Sequence, residues 1–324
     1  MLFSSTKDYL DSQYRLRPHD DKPNYSDEDL QLISEMRLLM SGREGVRDFD
    51  LKRSVELRKL QKGGPRQAES YRGDHCRTAI PLGYDVYGDI QHVHLDRHRN
   101  ASFILVKGEH GMGKTNYAQW VVSSLSACPD EWSICVYDAE DDGLTSEWSF
   151  IRDARPRNAV LSDNLERDVL RIHEEAQLRI ADYEAKHALG QESDVLDHVP
   201  SILLVLDMGR ASFFEDGGVY DTVRCLLSER IAKLAHVYVM IISSDITYRN
   251  DMVRQLGPVN TVYIGAQRPQ DVEGDKDFPT SIVNTMPRTF GLVSYTGDGS
   301  YHMAMAPNMT RKALRRCLED HCWA

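Results

Sequence analysis

The sequence predicts an α/β fold with a mostly parallel central sheet and helices on both faces. Three observations predict it. From residue 79 onward, short apolar runs alternate with longer amphipathic stretches, as in successive βαβ units. Two of those runs, 132–138 and 201–207, end in an aspartate. A third, 102–106, leads into the glycine-rich octamer Gly108-Glu109-His110-Gly111-Met112-Gly113-Lys114-Thr115.

Bulk composition narrows the class. The chain has 324 residues, 41% hydrophobic and 27% charged, enough for one large domain or two small ones. No apolar run approaches the roughly 18 residues of a membrane span. The start, Met1-Leu2-Phe3-Ser4-Ser5-Thr6-Lys7-Asp8, turns polar at once, unlike a signal peptide. The six cysteines (76, 128, 135, 225, 317 and 322) form no C-x-x-C pair and no zinc spacing, so free thiols in a reducing cytoplasm are expected. Residues 1–75 hold 14 basic and 14 acidic side chains, so the remainder carries the whole net charge of −11. That balance disfavours DNA as a partner, although a local basic stripe can sit inside an acidic total. Arg311, Lys312, Arg315 and Arg316 form one such cluster; a solvated helix face reads the same way.

In order along the chain, residues 1–25 are polar and punctuated by Pro18 and Pro23. Ser26-Asp27-Glu28-Asp29 resembles a helix start, with Leu30, Ile33, Met36 and Leu39 on one side of a helix to about residue 40. Gly42 and Gly45 break it, a second charged helix covers 51–61, and Gly63-Gly64-Pro65 ends that one. Residues 1–76 therefore read as a helical N-terminal arm and linker, suited to docking or oligomer contact, and 77–324 as the α/β domain. After the strand at 102–106 comes a helix over 116–125, with Tyr117, Trp120, Val121 and Leu125 on one face. The strand 132–138 follows, then a long helix over 165–187 on Leu165, Val169, Ile172, Ala176 and Tyr183, then the strand 201–207. A single helix over 221–234, strands at 236–242 and 261–264, a hairpin around Gly297-Asp298-Gly299 and a short C-terminal helix complete the domain.

The octamer carries the chemistry. It fits G-x-x-x-x-G-K-[ST] at every specified position. Glycines let the backbone wrap an anion with its N–H groups inward. Lys114 would neutralise the β- and γ-phosphates, and the Thr115 hydroxyl would ligate Mg²⁺. Strand, loop and helix in this order are the arrangement that mechanism requires, so a RecA-like P-loop NTPase is expected, with ATP and Mg²⁺ as cofactors and residues 108–115 as the phosphate cradle. Asp207 ends an apolar strand about ninety residues later, the form of a Walker B strand, so it would hold Mg²⁺ opposite Thr115. Lys114 and Asp207 are the candidate catalytic residues, Thr115 and Asp207 the candidate metal ligands.

Motors of this architecture place a glutamate after that aspartate to orient the attacking water; here the neighbour is Met208. Glu215, Asp216, Asp138 and Glu140 are the candidate substitutes. Without one, nucleotide would bind well and hydrolyse slowly. Ser243-Ser244-Asp245 could sense the γ-phosphate or form an ordinary strand-end loop. Arg224, Arg230, Arg249 and Arg254 are candidates to act in trans.

The order of these pieces resembles the FtsK/SpoIIIE family, and within it the EccC-type ATPase modules of type VII secretion. Ile80-Pro81-Leu82-Gly83-Tyr84-Asp85 looks like the family's P-L-G-x-D entry, followed by a short hairpin. Pro129-Asp130-Glu131-Trp132 and the strand to Asp138 resemble its second strand. The segment 231–239 resembles R-A-x-G-I-H-L, and Met286-Pro287-Arg288-Thr289-Phe290-Gly291-Leu292 with Asp298-Gly299 resembles the EccC closure P-G-R-G-…-D-G. The resemblance spans about 79–310. It implies an ATP-binding module of a protein-export assembly, cytoplasmic and docked to a membrane complex, with secretion-machinery or substrate proteins as partners and a ring-forming homo-oligomer as its assembly. A DNA translocase and a nucleotide-locked scaffold without turnover are the rivals. The chain departs from the pattern at Met208, at Ser243-Ser244-Asp245 in place of T-Q-R-P, and at Glu140 where DNA pumps carry a lysine.

Overall fold

In a computed structural model, the structure describes residues 79–84, 90–95, 103–141, 146–190, 199–209, 211–213, 218–244, 246, 260–265, 267, 272–273, 275, 278, 292–297, 300–306, 309, 311, 314–315 and 318. The N-terminal arm lies outside them, as do Glu215, Asp216, Asp245, Arg249 and Arg254.

Among the described residues, ten strands form one sheet: β1 (Ala79–Tyr84), β2 (Ile90–His94), β3 (Phe103–Lys107), β4 (Trp132–Asp138), β5 (Ala159–Leu161), β6 (Ser201–Asp207), β7 (Val237–Ile242), β8 (Asn260–Ile264), β9 (Leu292–Gly297) and β10 (Ser300–Met305). Their spatial order is β2-β1-β10-β9-β8-β3-β7-β6-β4-β5. The run from β8 to β5 is parallel throughout. From β8 outward the other edge is antiparallel, built from the β9–β10 and β1–β2 hairpins.

Parallel strands buried on both faces should be apolar at every position, because helical crossovers cover both sides. β3, β6 and β7 are buried from end to end. Successive side chains alternate between two cores. Leu203 and Val205 of β6 join one core with α1 (Lys114–Ser126) and α2 (Ser149–Ala154); Ile202, Leu204 and Leu206 join the other, with α3 (Leu165–Ala188), α4 (Val219–Val223) and α5 (Glu229–Ala235). Met309, Leu314 and Leu318 add the C-terminal segment to the α1 side.

Local signals set the helix ends. Asn164 caps α3 by accepting from the Arg167 N–H at 2.9 Å, Glu166 and Asp168 occupy the first turn, and Lys186 and His187 the last, so the helix dipole is matched at both ends. Arg179, a buried cation of α3, donates to the Pro200 and Ala235 carbonyls at 2.9 Å each and to Glu175 at 2.8 Å. It ties α3 to the start of β6 and the end of α5.

One expectation is corrected. The helix expected over 221–234 is three pieces: α4, a 3₁₀ turn at Arg224–Leu226, and α5. Leu227 leaves helical space (φ −87°, ψ 67°), and Ser228 restarts the chain as an N-cap whose hydroxyl accepts from the Ile231 N–H at 3.2 Å. Periodicity ran through the break; the serine that made it was a cap.

Burial grades the expected cost of mutation. Leu204→Ala empties a fully buried site on β6 and should lower unfolding stability by about 2–5 kcal/mol. Leu178→Ala, at a position 68% exposed on α3, should stay within about 0.5 kcal/mol. Urea denaturation of both variants checks the contrast.

Candidate nucleotide site

Strand register brings the site together. Asp138 of β4 pairs with Asp207 of β6, Asp207 with Ile242 of β7, and Ile242 with Val106 of β3. The four strands thus end at one level, with β7 separating the glycine loop from the two aspartates. In open α/β sheets this crevice, at the carboxyl ends of the strands, is where ligands bind.

The glycine loop follows β3 without interruption. Gly111 (φ 80°) and Gly113 (φ 94°) stand in left-handed backbone that other residues enter only with strain. Gly113 is the N-cap of α1, with no side-chain cap and no acid in the first turn. The N–H groups of that turn therefore have no intrahelical acceptor and no acid of their own turn to compete for them, which suits an anion. Lys114 Nζ donates to the carbonyls of Gly108 (3.0 Å) and Glu109 (3.2 Å), closing the loop over itself.

Asp207 is the hub. Its carboxylate accepts from the Thr115 hydroxyl (2.9 Å) and the Trp148 indole N–H (3.0 Å) at Oδ2, and from the Gly209 N–H (3.3 Å) at Oδ1. It is 6% exposed. Burial pushes its proton affinity above the usual carboxylate range; the three donors pull it back, and nearby Asp138 pushes it up again. A cation bound beside it would lower that affinity. Thr115 and Asp207 together offer hard oxygen donors of the kind Mg²⁺ takes, one carboxylate plus a hydroxyl, with the remaining positions left to water and phosphate. Among the described residues, no cluster of three or more His, Cys, Asp and Glu forms a cage of another kind.

A cleft of about 500 Å³ opens beside this hub. Its lining includes Gly111, Gly113, Lys114, Thr115 and Asp207, but also Asp138, Glu140, Ser146, Glu147 and Ser244. Asp138 accepts from the Ser146 hydroxyl at 2.6 Å and from the Glu140 N–H at 3.1 Å. Glu140 lies against Gly209 so closely that a Cβ there would stand 2.5 Å from its carboxyl carbon. Burial, then Asp207 and Asp138, raise the proton affinity of Glu147, while Arg311 lowers it. Arg311 donates to the Ser146 carbonyl at 3.2 Å.

Of the residues singled out from sequence, His110, Gly111, Gly113, Lys114, Thr115, Asp138, Glu140, Asp207 and Ser244 line one cleft. Gly108 and Glu109 lend carbonyls to Lys114, and Met112 turns away to pack on Gly265. Met208 is fully buried in the core on the α3 side and does not line the cleft. Arg224 and Arg230 are paired within the chain, with Asp221 and Glu184. Glu147, Trp148, Gln119 and Arg311 were not expected at the site; the density of acids after β4 was the signal available for Glu147.

The fold is the one shared by solved ATPases of the FtsK/EccC type, a likeness of architecture alone. At TM-score 0.54 and 12% identity the chain is similar to the pCW3 conjugation coupling protein TcpA, solved as a monomer with ATPγS, over 78% of this chain and 72% of that one. At TM-score 0.51 and 14% identity it is similar to Thermomonospora curvata EccC (ATPases 2 and 3) in complex with a signal sequence peptide, over 76% of this chain. The cytoplasmic domain of that type VII secretion ATPase gives the same TM-score at 13% identity. The chain spans about half (48%) of the first EccC chain and a third (32%) of the second. No protein-family model and no curated protein matches the sequence. No helix among the described residues is long and apolar enough to cross a membrane.

Trp148→Phe keeps the buried ring and removes the indole donor to Asp207. Losing one bond to a buried charge should cost about 1–3 kcal/mol, read as a lower urea midpoint against native protein.

Proposed function

We propose that the chain binds ATP as its Mg²⁺ complex on residues 108–115, with Thr115 and Asp207 on the metal side and Lys114 on the β- and γ-phosphates. The Thr115–Asp207 hydrogen bond across the cleft carries this reading, because it links the phosphate-loop hydroxyl to the strand-end carboxylate that the chemistry requires. When bound, Mg²⁺ would neutralise phosphate charge. Lys114 would leave its two carbonyls for the phosphates, and the first-turn amides of α1 would hold them.

The acids of the cleft shape the preference. Asp138, Glu140, Glu147 and Asp207 line it against one lysine, so free triphosphate is repelled and the magnesium complex favoured. We assign the module to an export assembly of the EccC kind, in which nucleotide state governs docking to a neighbouring subunit or a secreted protein, with slow or regulated hydrolysis. Similarity to EccC supports this reading. Similarity to a conjugation coupling protein supports a second, a DNA-translocating motor. DNA-stimulated phosphate release with steep salt dependence would select the second. The arm over 1–76 would serve as the docking element of the domain over 77–324.

Calorimetry on the full chain tests the nucleotide reading. ATP with Mg²⁺ should bind, and chelating the metal should weaken binding at least about tenfold. Lys114→Ala should abolish turnover; activity that survives it would refute the role given to this loop.

A further inference from the structure

Met208 fills the place where related motors keep a water-orienting glutamate, and its side chain is sealed in the core on the α3 side. Its backbone N–H is bound to the Ile242 carbonyl at 3.1 Å, so the position is part of the sheet edge and not of the cleft. Any acceptor for an attacking water must come from another element.

Four carboxylates line the cleft, and three are committed elsewhere. Asp207 holds three donors and faces the metal side. Asp138 has one oxygen on the Ser146 hydroxyl and the other on the Glu140 N–H. Glu140 is laid along Gly209.

Glu147 differs from all three. Its carbonyl accepts from Gln119 Nε2 of α1 at 2.9 Å. On one side Ser146 is bound to Asp138 and, through its carbonyl, to Arg311. On the other side Trp148 is fully buried, with its backbone N–H on Ser146 Oγ at 3.1 Å and its indole N–H on Asp207. The backbone is pinned from α1, from β4, from β6 and from the C-terminal segment. The carboxylate it carries has no hydrogen bond or ion pair among the described residues. A fixed backbone with an uncommitted acceptor, one residue from a side chain bonded to the metal-side aspartate, is what water positioning requires.

We propose that Glu147 orients the attacking water and accepts its proton, in the role that Met208 cannot fill. The inference rests on the nucleotide reading above. The water oxygen bonds to the γ-phosphorus as the bond to the β,γ-bridging oxygen breaks. The bond's electron pair leaves on ADP, and the water proton passes to the Glu147 carboxylate, which returns it to solvent as phosphate departs. Loss of a positioned base typically costs about 10²–10⁴-fold in rate.

Full-length native protein, Glu147→Gln, Glu147→Asp and Glu140→Gln are compared by calorimetry with Mg·ATPγS, by single-turnover phosphate release and by the identity of nucleotide recovered after quenching. Glu147→Gln should bind within about threefold of native and melt within about 2 °C of it, while release falls at least ~100-fold and the recovered nucleotide is ATP. Glu147→Asp should recover part of the rate, and Glu140→Gln should lose less than Glu147→Gln. Release by Glu147→Gln within about tenfold of native, a larger loss in Glu140→Gln, or native protein that binds Mg·ATP without hydrolysing it would each overturn the assignment. Native protein that fails to bind Mg·ATP overturns the nucleotide reading instead, so the two failures are told apart.

Discussion

The hydrogen-bonded carboxylate of Asp207 is the constraint on which the rest of the site depends. A charge this deeply placed at the end of an apolar strand is costly unless donors surround it. The donors come from three places: the first turn of α1, the loop after β4, and the backbone just beyond β6. Each must be held to hydrogen-bond length, so satisfying one buried charge also positions the glycine loop, the Trp148 loop and the strand end against one another. The balance is incomplete, since burial still holds the group above its ordinary proton affinity; a cation bound beside it would lower that affinity. Functional sites often keep such an imbalance, and the surrounding cores offset it.

Those cores explain why the imbalance is tolerated. β6 is buried along its whole length, with alternate residues feeding the α1 and the α3 sides. Met208 continues that pattern one residue past the aspartate. In a motor this position is given to catalysis; here it is given to packing. Met208 packs into the core on the α3 side, and on the proposal above it is the loop between β4 and α2 that supplies an acceptor to the cleft.

Legibility in the sequence followed the physics of each part. The glycine loop was readable as a left-handed turn between strand and helix, because its glycines stand at fixed spacing before a lysine and a hydroxyl. β4 and β6 were readable to the residue: β6, buried on both faces, leaves a continuous apolar run, and each strand stops at an aspartate. The α4–α5 region was not, because helical periodicity survives a break that only the cap at Ser228 marks. Glu147 and Trp148 were missed for a related reason. A loop has no period, and its contacts to Asp207 and to Gln119 span 59 and 28 residues of sequence. Arg311 looked like part of a basic stripe, yet its guanidinium holds the Ser146 carbonyl, a use that only tertiary structure reveals. Lys107 is a similar case: a lysine ending an apolar strand is buried here, 5.6 Å from the Tyr263 ring.

The central claim is that Asp207 and Thr115 form the metal side of a nucleotide site. Electron paramagnetic resonance of Mn²⁺, substituted for Mg²⁺, addresses it most directly. Against the spectrum of Mn·ATP in solution, native protein should give a distinct protein-bound spectrum, while Asp207→Ala and Thr115→Val should each leave most of the signal that of Mn·ATP in solution. Retention of the bound spectrum in both variants, or no bound ion in native protein, would contradict the account.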